Sequence, residues 1–377
     1  MPKLLFVTRR AFYPDCSGGA EQSSLYLFQS LQKLGWEIEV ICRVSLRSQY
    51  FWRGCWRILK REQPPSLSVV DNDLGYPCWR WITKFGQQPQ WIEFLNRRLE
   101  EYQPDIVLGH DQPNCPLLIN AAERGYPSFY FARNLGNIET GEVIPEKLHT
   151  IANSPYTAEV ASQVSTKEIG VVLPFMKCDR YRVQARQRRY ITFINPIPEK
   201  GVDVVLEIAR HLPQERFLFV KGQWPIYGES ALEAFVKPAR ELPNVDIWEH
   251  QADMRQVYAM TDVLLVPSQF TETFGRVIVE AQVNGIPVVT AKAGGIPYTV
   301  GRGGVLIDPK DNVQAYVEAL TQLRQDQDHY AELSDLARKN SQRTEFDPQY
   351  QVKNFIQFVE SRIQQDGASK LIPSEPC

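Results

Sequence analysis

The sequence predicts an α/β protein made of two doubly wound domains, each a mostly parallel sheet with helices on both faces. The chain has 377 residues, more than one hydrophobic core usually organises. Short apolar runs without alternation, such as Leu4 to Thr8 and Val263 to Val266, read as parallel strands buried on both faces. Such runs alternate with amphipathic segments in a strand, turn, helix, strand order, in two separate series along the chain.

The first series opens with Leu4 to Thr8. A loop with Gly18 and Gly19 follows, and Ala20 to Leu34 then places Leu27, Phe28, Leu31 and Leu34 on one helical face, with Gly35 as a C-terminal stop. Trp36 to Cys42 reads as the next strand, and the pattern recurs at Ile106 to Leu108, Leu117 to Ala122 and Ser128 to Ala132. The second series starts near Tyr190. It has strands at Ile191 to Ile194, Phe217 to Val220, Val245 to Trp248, Val263 to Val266 and Val288 to Thr290, with helices at Val202 to Leu212, around Met254 to Met260, and at Gly275 to Val283. The boundary falls between about 165 and 185, giving domains at 1–170 and 171–345. At 346–364, Val352, Phe355, Ile356, Val359 and Ile363 form a helical stripe that is expected to pack back on the first domain. The polar, Pro-containing tail at 365–377 reads as disordered.

Composition removes several classes of function. Apolar residues at 43% and charged residues at 23% describe a chain that buries a large core. A net charge of -2 removes the broad basic surplus that nucleic acid binding needs. The seven cysteines (Cys16, Cys42, Cys55, Cys78, Cys115, Cys178, Cys377) are never spaced as a Cys-x-x-Cys pair. They read as reduced thiols of a cytoplasmic protein, without a disulfide framework or a zinc site. The short apolar run before Arg9 and Arg10 and the lack of a longer one set the expectation of neither a signal peptide nor a transmembrane helix. No Gly-x-Gly-x-x-Gly follows Leu4 to Thr8, which counts against a dinucleotide-dependent oxidoreductase.

The chemistry concentrates in Pro267 to Ala281, which follows one buried strand and opens a helix. Ligands of open α/β sheets sit beyond the carboxyl ends of strands, where a helix N-terminus offers unpaired N–H groups to a phosphate. Glu272 precedes this helix and Glu280 lies inside it, at most roughly 12 Å apart on a continuous helix. Carboxylates accept hydrogen bonds from hydroxyls, and a nucleotide sugar presents hydroxyls on both sides of its diphosphate. Glu280 stands among Val277, Ile278, Val279 and Ala281, where a carboxylate needs a partner. Lys200-Gly201 brings an ammonium to the same edge, and Gly294-Gly295 permits close backbone approach to a ligand. In the first domain Gly18-Gly19-Ala20-Glu21 opens a helix after the first strand. His110 ends another strand and reads either as an acceptor contact or as a structural histidine.

These residues resemble the family-four retaining glycosyltransferases of the GT-B fold. The Glu-x7-Glu pair Glu272 and Glu280, Lys200-Gly201, Gly294-Gly295 and Gly18-Gly19 carry the likeness, which is strongest from Tyr190 to Pro309. The resemblance implies two Rossmann-like domains facing across a cleft, the first an acceptor domain and the second a nucleotide-sugar donor domain. It implies a metal-independent reaction that retains the anomeric configuration, with no cofactor beyond the nucleotide diphosphate sugar. It places Glu272 on the donor sugar, Glu280 on the ribose, Lys200 on the diphosphate and the backbone of Phe274 and Gly275 on sugar or phosphate, with Thr273, Arg276, Gly294, Gly295, Gly18 and Gly19 also lining the donor. Lys200, Glu272 and His110 are the catalytic candidates.

The chain departs from the family pattern at three places. Asn195 stands where the family commonly has a second diphosphate cation, with Arg276 or Arg133 as substitutes; Arg133-Asn134 stands where a His is frequent; Tyr298 stands where a Glu is usual. The departures motivate a weakly active or inactive nucleotide-sugar-binding subunit as an alternative, beside an epimerase of the same fold. Asp71-Asn72-Asp73 admits comparison with a metal-binding Asp-x-Asp, although an acidic turn before Gly75 explains it better. From Arg43 to Arg61 six basic residues mix with Tyr50, Phe51, Trp52 and Trp56, with no acidic one. That segment reads as a peripheral contact with the inner face of a membrane, suited to a lipid-linked acceptor, or as a solvated helix covering an acceptor groove.

Overall fold

A computed structural model describes residues 1–16, 18–44, 48–60, 68–81, 88–222 and 227–367. The chain forms two compact units, one made of Met1–Phe175 with Gln349–Cys377 and the other of Met176–Pro348.

The first unit holds strands β1 (Lys3–Ala11), β2 (Glu37–Arg43), β3 (Ser68–Asp71), β4 (Cys78–Trp81), β5 (Ile106–Gly109), β6 (Ser128–Ala132), β7 (Leu148–Ala152) and β8 (Ile169–Val171). They lie in the order β3-β4-β2-β1-β5-β6-β7-β8. β3 runs antiparallel to β4, and the other neighbours pair in parallel. Leu4, Leu5, Phe6 and Val7 are fully buried at the centre, as an apolar run without alternation requires. β1 runs past the expected Thr8. After a shift of register beyond Val7, Ala11 pairs with Arg43 of β2, so two arginines occupy strand positions with their side chains outward.

The first helix, Gly19–Lys33, buries Leu27, Phe28 and Leu31 completely, but Leu34 is 58% exposed. The expected apolar face stops one residue early because Leu34 caps the helix and Gly35, with φ 84, turns the chain away.

The second unit is a six-stranded parallel sheet of β9 (Tyr190–Ile194), β10 (Phe217–Val220), β11 (Val245–Trp248), β12 (Thr261–Val266), β13 (Val288–Ala291) and β14 (Gly304–Ile307). Its order is β11-β10-β9-β12-β13-β14, the doubly wound arrangement in which the direction of winding reverses between the first and fourth strands. Ile191, Phe193, Val263 and Leu265 pack with Val205, Leu206 and Ile208 of the helix Val202–His211 in the core on one side of this sheet.

The last helix, Pro348–Gln365, belongs to the first unit. Val352, Phe355, Ile356, Val359 and Ile363 share a core with Leu4, Phe6, Phe129 and Ile151. Gln351 accepts a hydrogen bond from the Leu173 N–H at 2.7 Å, and Asp366 meets the ring of the buried His149 at 2.7 Å. The helix runs to Gln365 and a turn at 366–367 follows it, with Asp366 on His149. The remainder of that expected tail, 368–377, lies outside the described residues.

Phe355 is fully buried where this helix meets β1 and β6. We expect Phe355→Ala to cost the first unit about 3–5 kcal/mol through lost burial and a cavity, read as a lower denaturant midpoint. An unchanged midpoint would show that the returning helix contributes nothing to that core.

Candidate active site

The carboxyl ends of β9 and β12 adjoin at the switch point of the second unit, and the loops that leave them hold the candidate residues Lys200 and Glu272. Beyond β9, Asn195 takes a left-handed φ of 62 and a short turn, Pro198–Lys200, leads to Gly201. Gly201 has φ +86, and a Cβ there would fall 2.2 Å from the carbonyl oxygen of Pro267. Only glycine lets the two loops lie so close. The Gln269 N–H, donating to the Glu199 carbonyl at 2.8 Å, fastens them together.

This contact brings the Lys200 ammonium onto the Glu272 carboxylate in a salt bridge. Ser268 donates to the same carboxylate oxygen at 2.9 Å, and Lys200 Nζ also stands 4.6 Å from the centre of the Phe270 ring. Glu272 is 7% exposed. A pair this sheltered is costly to leave half-broken, so a ligand that parts it must supply a partner to each side.

Glu272 is placed in turn by the loop after β13. Its carbonyl accepts the Gly295 N–H at 2.7 Å. A Cβ on Gly294, which has φ +56, would stand 2.3 Å from that carbonyl oxygen. The close approach at Gly294-Gly295 is thus to the main chain of Glu272.

The helix that follows, Arg276–Gln282, begins after Gly275 takes a left-handed φ of 80. The stretch from Glu272 to Glu280 is consequently not one continuous helix, and the spacing drawn from helical rise does not apply to it. Phe274 is buried edge-on against Phe346. Glu280, itself buried, accepts a hydrogen bond from the Tyr258 hydroxyl at 2.8 Å, and its other oxygen lies 3.6 Å from Arg276. Arg276 also reaches the Tyr181 hydroxyl at 3.3 Å. Burial and the Glu280 charge hold the Tyr258 hydroxyl well above its ordinary pKa, so it stays a donor at neutral pH. Sequence reasoning missed Ser268, Tyr258 and Asn284. The Asn284 amide accepts from the Val183 N–H at 2.9 Å and donates to the Tyr181 carbonyl at 2.9 Å.

The second unit therefore brings together Lys200, Glu272, Thr273, Phe274, Gly275, Arg276, Glu280, Gly294 and Gly295, whereas Gly18, Gly19 and His110 belong to the first. Gly18 precedes the first helix and Gly19 begins it, with the buried Glu21 carboxylate beside Gly18. His110, at the end of β5, is 3% exposed, packs edge-on against Phe6 and has Nε2 3.4 Å from the Thr8 hydroxyl. That hydroxyl donates to Asp111 at 2.7 Å, so the imidazole carries its proton on Nε2. Burial, then Arg133 and Arg10, push the His110 pKa well below 6.5. Arg133 binds the Ala20 carbonyl and donates to the Ser24 hydroxyl at 2.7 Å. Asp71 is held 2.5 Å from the fully buried Arg80, and Asp73 pairs with Arg53. The acidic turn thus serves to bury an arginine. In the segment 43–61, residues 45–47 and 61 lie outside the described residues, and 49–59 form a helix.

Residues 183–340, almost all of the second unit, match the family described as "Glycosyl transferases group 1". The D-inositol 3-phosphate glycosyltransferase of Corynebacterium kroppenstedtii is 39% identical over 336 residues, covering 85% of this chain and 66% of that protein. Residues 183–340 belong to the glycosyl transferases group 1 family. A second D-inositol 3-phosphate glycosyltransferase, from Segniliparus rotundus, is 33% identical over 289 residues, covering 68% of this chain and 62% of that one. The chain thus spans a little under two thirds of the length of these curated relatives. Among solved structures, sucrose-phosphate synthase from Thermosynechococcus elongatus superposes with a TM-score of 0.79 at 16% identity, over 97% of this chain and 100% of that one. Anabaena HepE in complex with UDP and glucose does so with a TM-score of 0.73 at 18% identity, over 96% and 100%. The fold is GT-B. No helix among the described residues is long and apolar enough to cross a membrane.

An imidazole that stays neutral when folded but takes a proton when unfolded makes stability fall as pH drops below about 6.5, the ordinary value. His149, lowered mainly by burial, acts in the same direction. We expect the unfolding free energy to decline between pH 7 and 5 and His110→Gln to flatten that decline. An equal slope in the variant would show that His110 takes up its proton in the fold as readily as in the unfolded chain.

Proposed function

We propose that this chain is a glycosyltransferase that moves a hexose from a nucleotide diphosphate sugar to an acceptor hydroxyl, with retention of configuration and without a metal ion. The observation that carries this reading is the placement of one ammonium and two buried carboxylates, Lys200, Glu272 and Glu280, on one sheet edge with their hydrogen-bond partners. A nucleotide sugar offers a diphosphate to the cation and hydroxyls on either side of it to the carboxylates. Two similar proteins are D-inositol 3-phosphate glycosyltransferases, and the similar HepE structure is a complex with UDP and glucose.

In this reading Lys200 leaves Glu272 for the diphosphate and Glu272 turns to the hydroxyls of the sugar. Glu280 takes the ribose with Tyr258 behind it, and the backbone at Thr273, Phe274 and Gly275 approaches sugar or phosphate. The bond from the anomeric carbon to the diphosphate oxygen breaks as the acceptor oxygen bonds to the same face. The departing phosphate oxygen takes the acceptor proton, and Lys200 balances its charge. His110, closed off from solvent, is a positioning residue for Thr8. The acceptor class is a glycan or a lipid-linked hydroxyl, with 43–61 as the contact to a membrane. Asn195 favours a second reading, a subunit that binds donor and transfers little. It supplies no charge where the resemblance places a cation, and its left-handed backbone turns the chain out of β9.

A thermal-shift screen against nucleotide sugars and their nucleoside diphosphates should show selective stabilisation by one nucleotide, by mass action, lost in Glu280→Ala. Transfer from that donor should fall on the order of 100-fold or more in Glu272→Gln and in Lys200→Gln and should survive chelation. Wild-type transfer in both variants would refute the site, and abolition by chelator would refute metal independence. Nucleotide binding without transfer to any glycan or lipid-linked acceptor would select the second reading.

A further inference from the structure

The helix Gln49–Leu59 of the first unit presents its aromatic side chains in two different ways. Tyr50 is 2% exposed, with the buried Arg80 guanidinium 4.0 Å from its ring centre. The Ser48 hydroxyl donates to Asp15 at 2.7 Å just before the helix. These contacts anchor the helix to its unit. Trp52 and Trp56, by contrast, are 63% and 60% exposed, and among the described residues they are the tryptophans left in the open. They stand one turn apart, so they share a face, and Lys60 continues the line by another four residues. Its ammonium lies 5.3 Å from the Trp56 ring centre. Beside them Arg53 is exposed and pairs with Asp73 at 2.9 Å.

Two adjacent open indoles are a cost to a protein in water, and indoles concentrate where an apolar layer meets a polar one. A lysine after them can lay its stem along the same layer and keep its ammonium at the level of phosphates. Between 43 and 61 there are six basic residues and no acidic one, in a chain of net charge -2. The local charge therefore complements an anionic surface, and an 11-residue helix is far too short to span a bilayer.

We propose that Trp52, Trp56 and Lys60 form an interfacial anchor that lays this helix flat on a bilayer surface rich in anionic phospholipid. The anchor rests on the proposed transfer reaction only for its purpose, delivery of the enzyme to a lipid-linked acceptor. Its physical basis is independent of the donor site.

The test is co-sedimentation of the full chain, without nucleotide, with vesicles of phosphatidylcholine alone and of phosphatidylcholine mixed with phosphatidylglycerol. Wild type should sediment with the mixed vesicles, less so at high salt, and its tryptophan emission should shift to the blue. The double variant Trp52→Glu, Trp56→Glu should stay in the supernatant, and Lys60→Glu should bind at least several-fold more weakly. Failure of wild type to bind the mixed vesicles, or equal binding by the double variant, would overturn the proposal. So would a double variant that differs from wild type only in passing from dimer to monomer on sedimentation, which would make this face a contact between copies. The nucleotide-induced thermal shift should persist in the double variant, so failure of the anchor and failure of the donor site are read separately.

Discussion

The chemistry of the second unit depends on how closely three loops approach one another through their main chains. The loop after β13 lies on the backbone of Glu272 because Gly294 has no side chain, and the Gly295 N–H closes that contact at 2.7 Å. The loop after β9 lies on Pro267 for the same reason at Gly201. Neither contact involves a ligand-binding side chain, yet together they set where Lys200 and Glu272 meet. A site assembled by backbone packing on strand ends holds its groups more precisely than one left to loop side chains. Substitution at either glycine would act on the site by moving main chain, with no charge changed.

Within that frame the charges are matched in pairs. Lys200 is satisfied by Glu272 and Arg276 lies beside Glu280, with Ser268 and Tyr258 as neutral donors to the carboxylates. The folded chain thereby avoids leaving sheltered charges alone, which would be expensive. In the proposed function, the same matching suits a ligand that alternates hydroxyls and phosphates, because a phosphate can take over the ammonium and hydroxyls can take over the carboxylates. Binding then exchanges one set of charge-assisted hydrogen bonds for another, and discrimination against ligands lacking a phosphate or a hydroxyl follows from the unpaired group they would leave behind.

Much of this was legible in the sequence where the signal is local. The apolar runs of β9, β10 and β12 announce buried parallel strands, and the Glu272 and Glu280 spacing stands out against apolar neighbours. Contacts made at long range were not legible. Tyr258 precedes Glu280 by 22 residues and nothing in its own helix marks it as a carboxylate partner. Asn284 ties down Val183, 101 residues away. The short β3 and β4 at the sheet edge were missed because Asp71 and Arg80 interrupt them, leaving no plain apolar run. Leu34 was misplaced because periodicity does not tell where a helix yields to its cap.

The most direct test of the account is a structure of the chain bound to a nucleotide diphosphate sugar. The account predicts that the Lys200–Glu272 pair opens, with the ammonium on a phosphate oxygen, the Glu272 carboxylate on a sugar hydroxyl and the Glu280 carboxylate on the ribose. A nucleotide sugar bound elsewhere, with Lys200 still on Glu272, would contradict it.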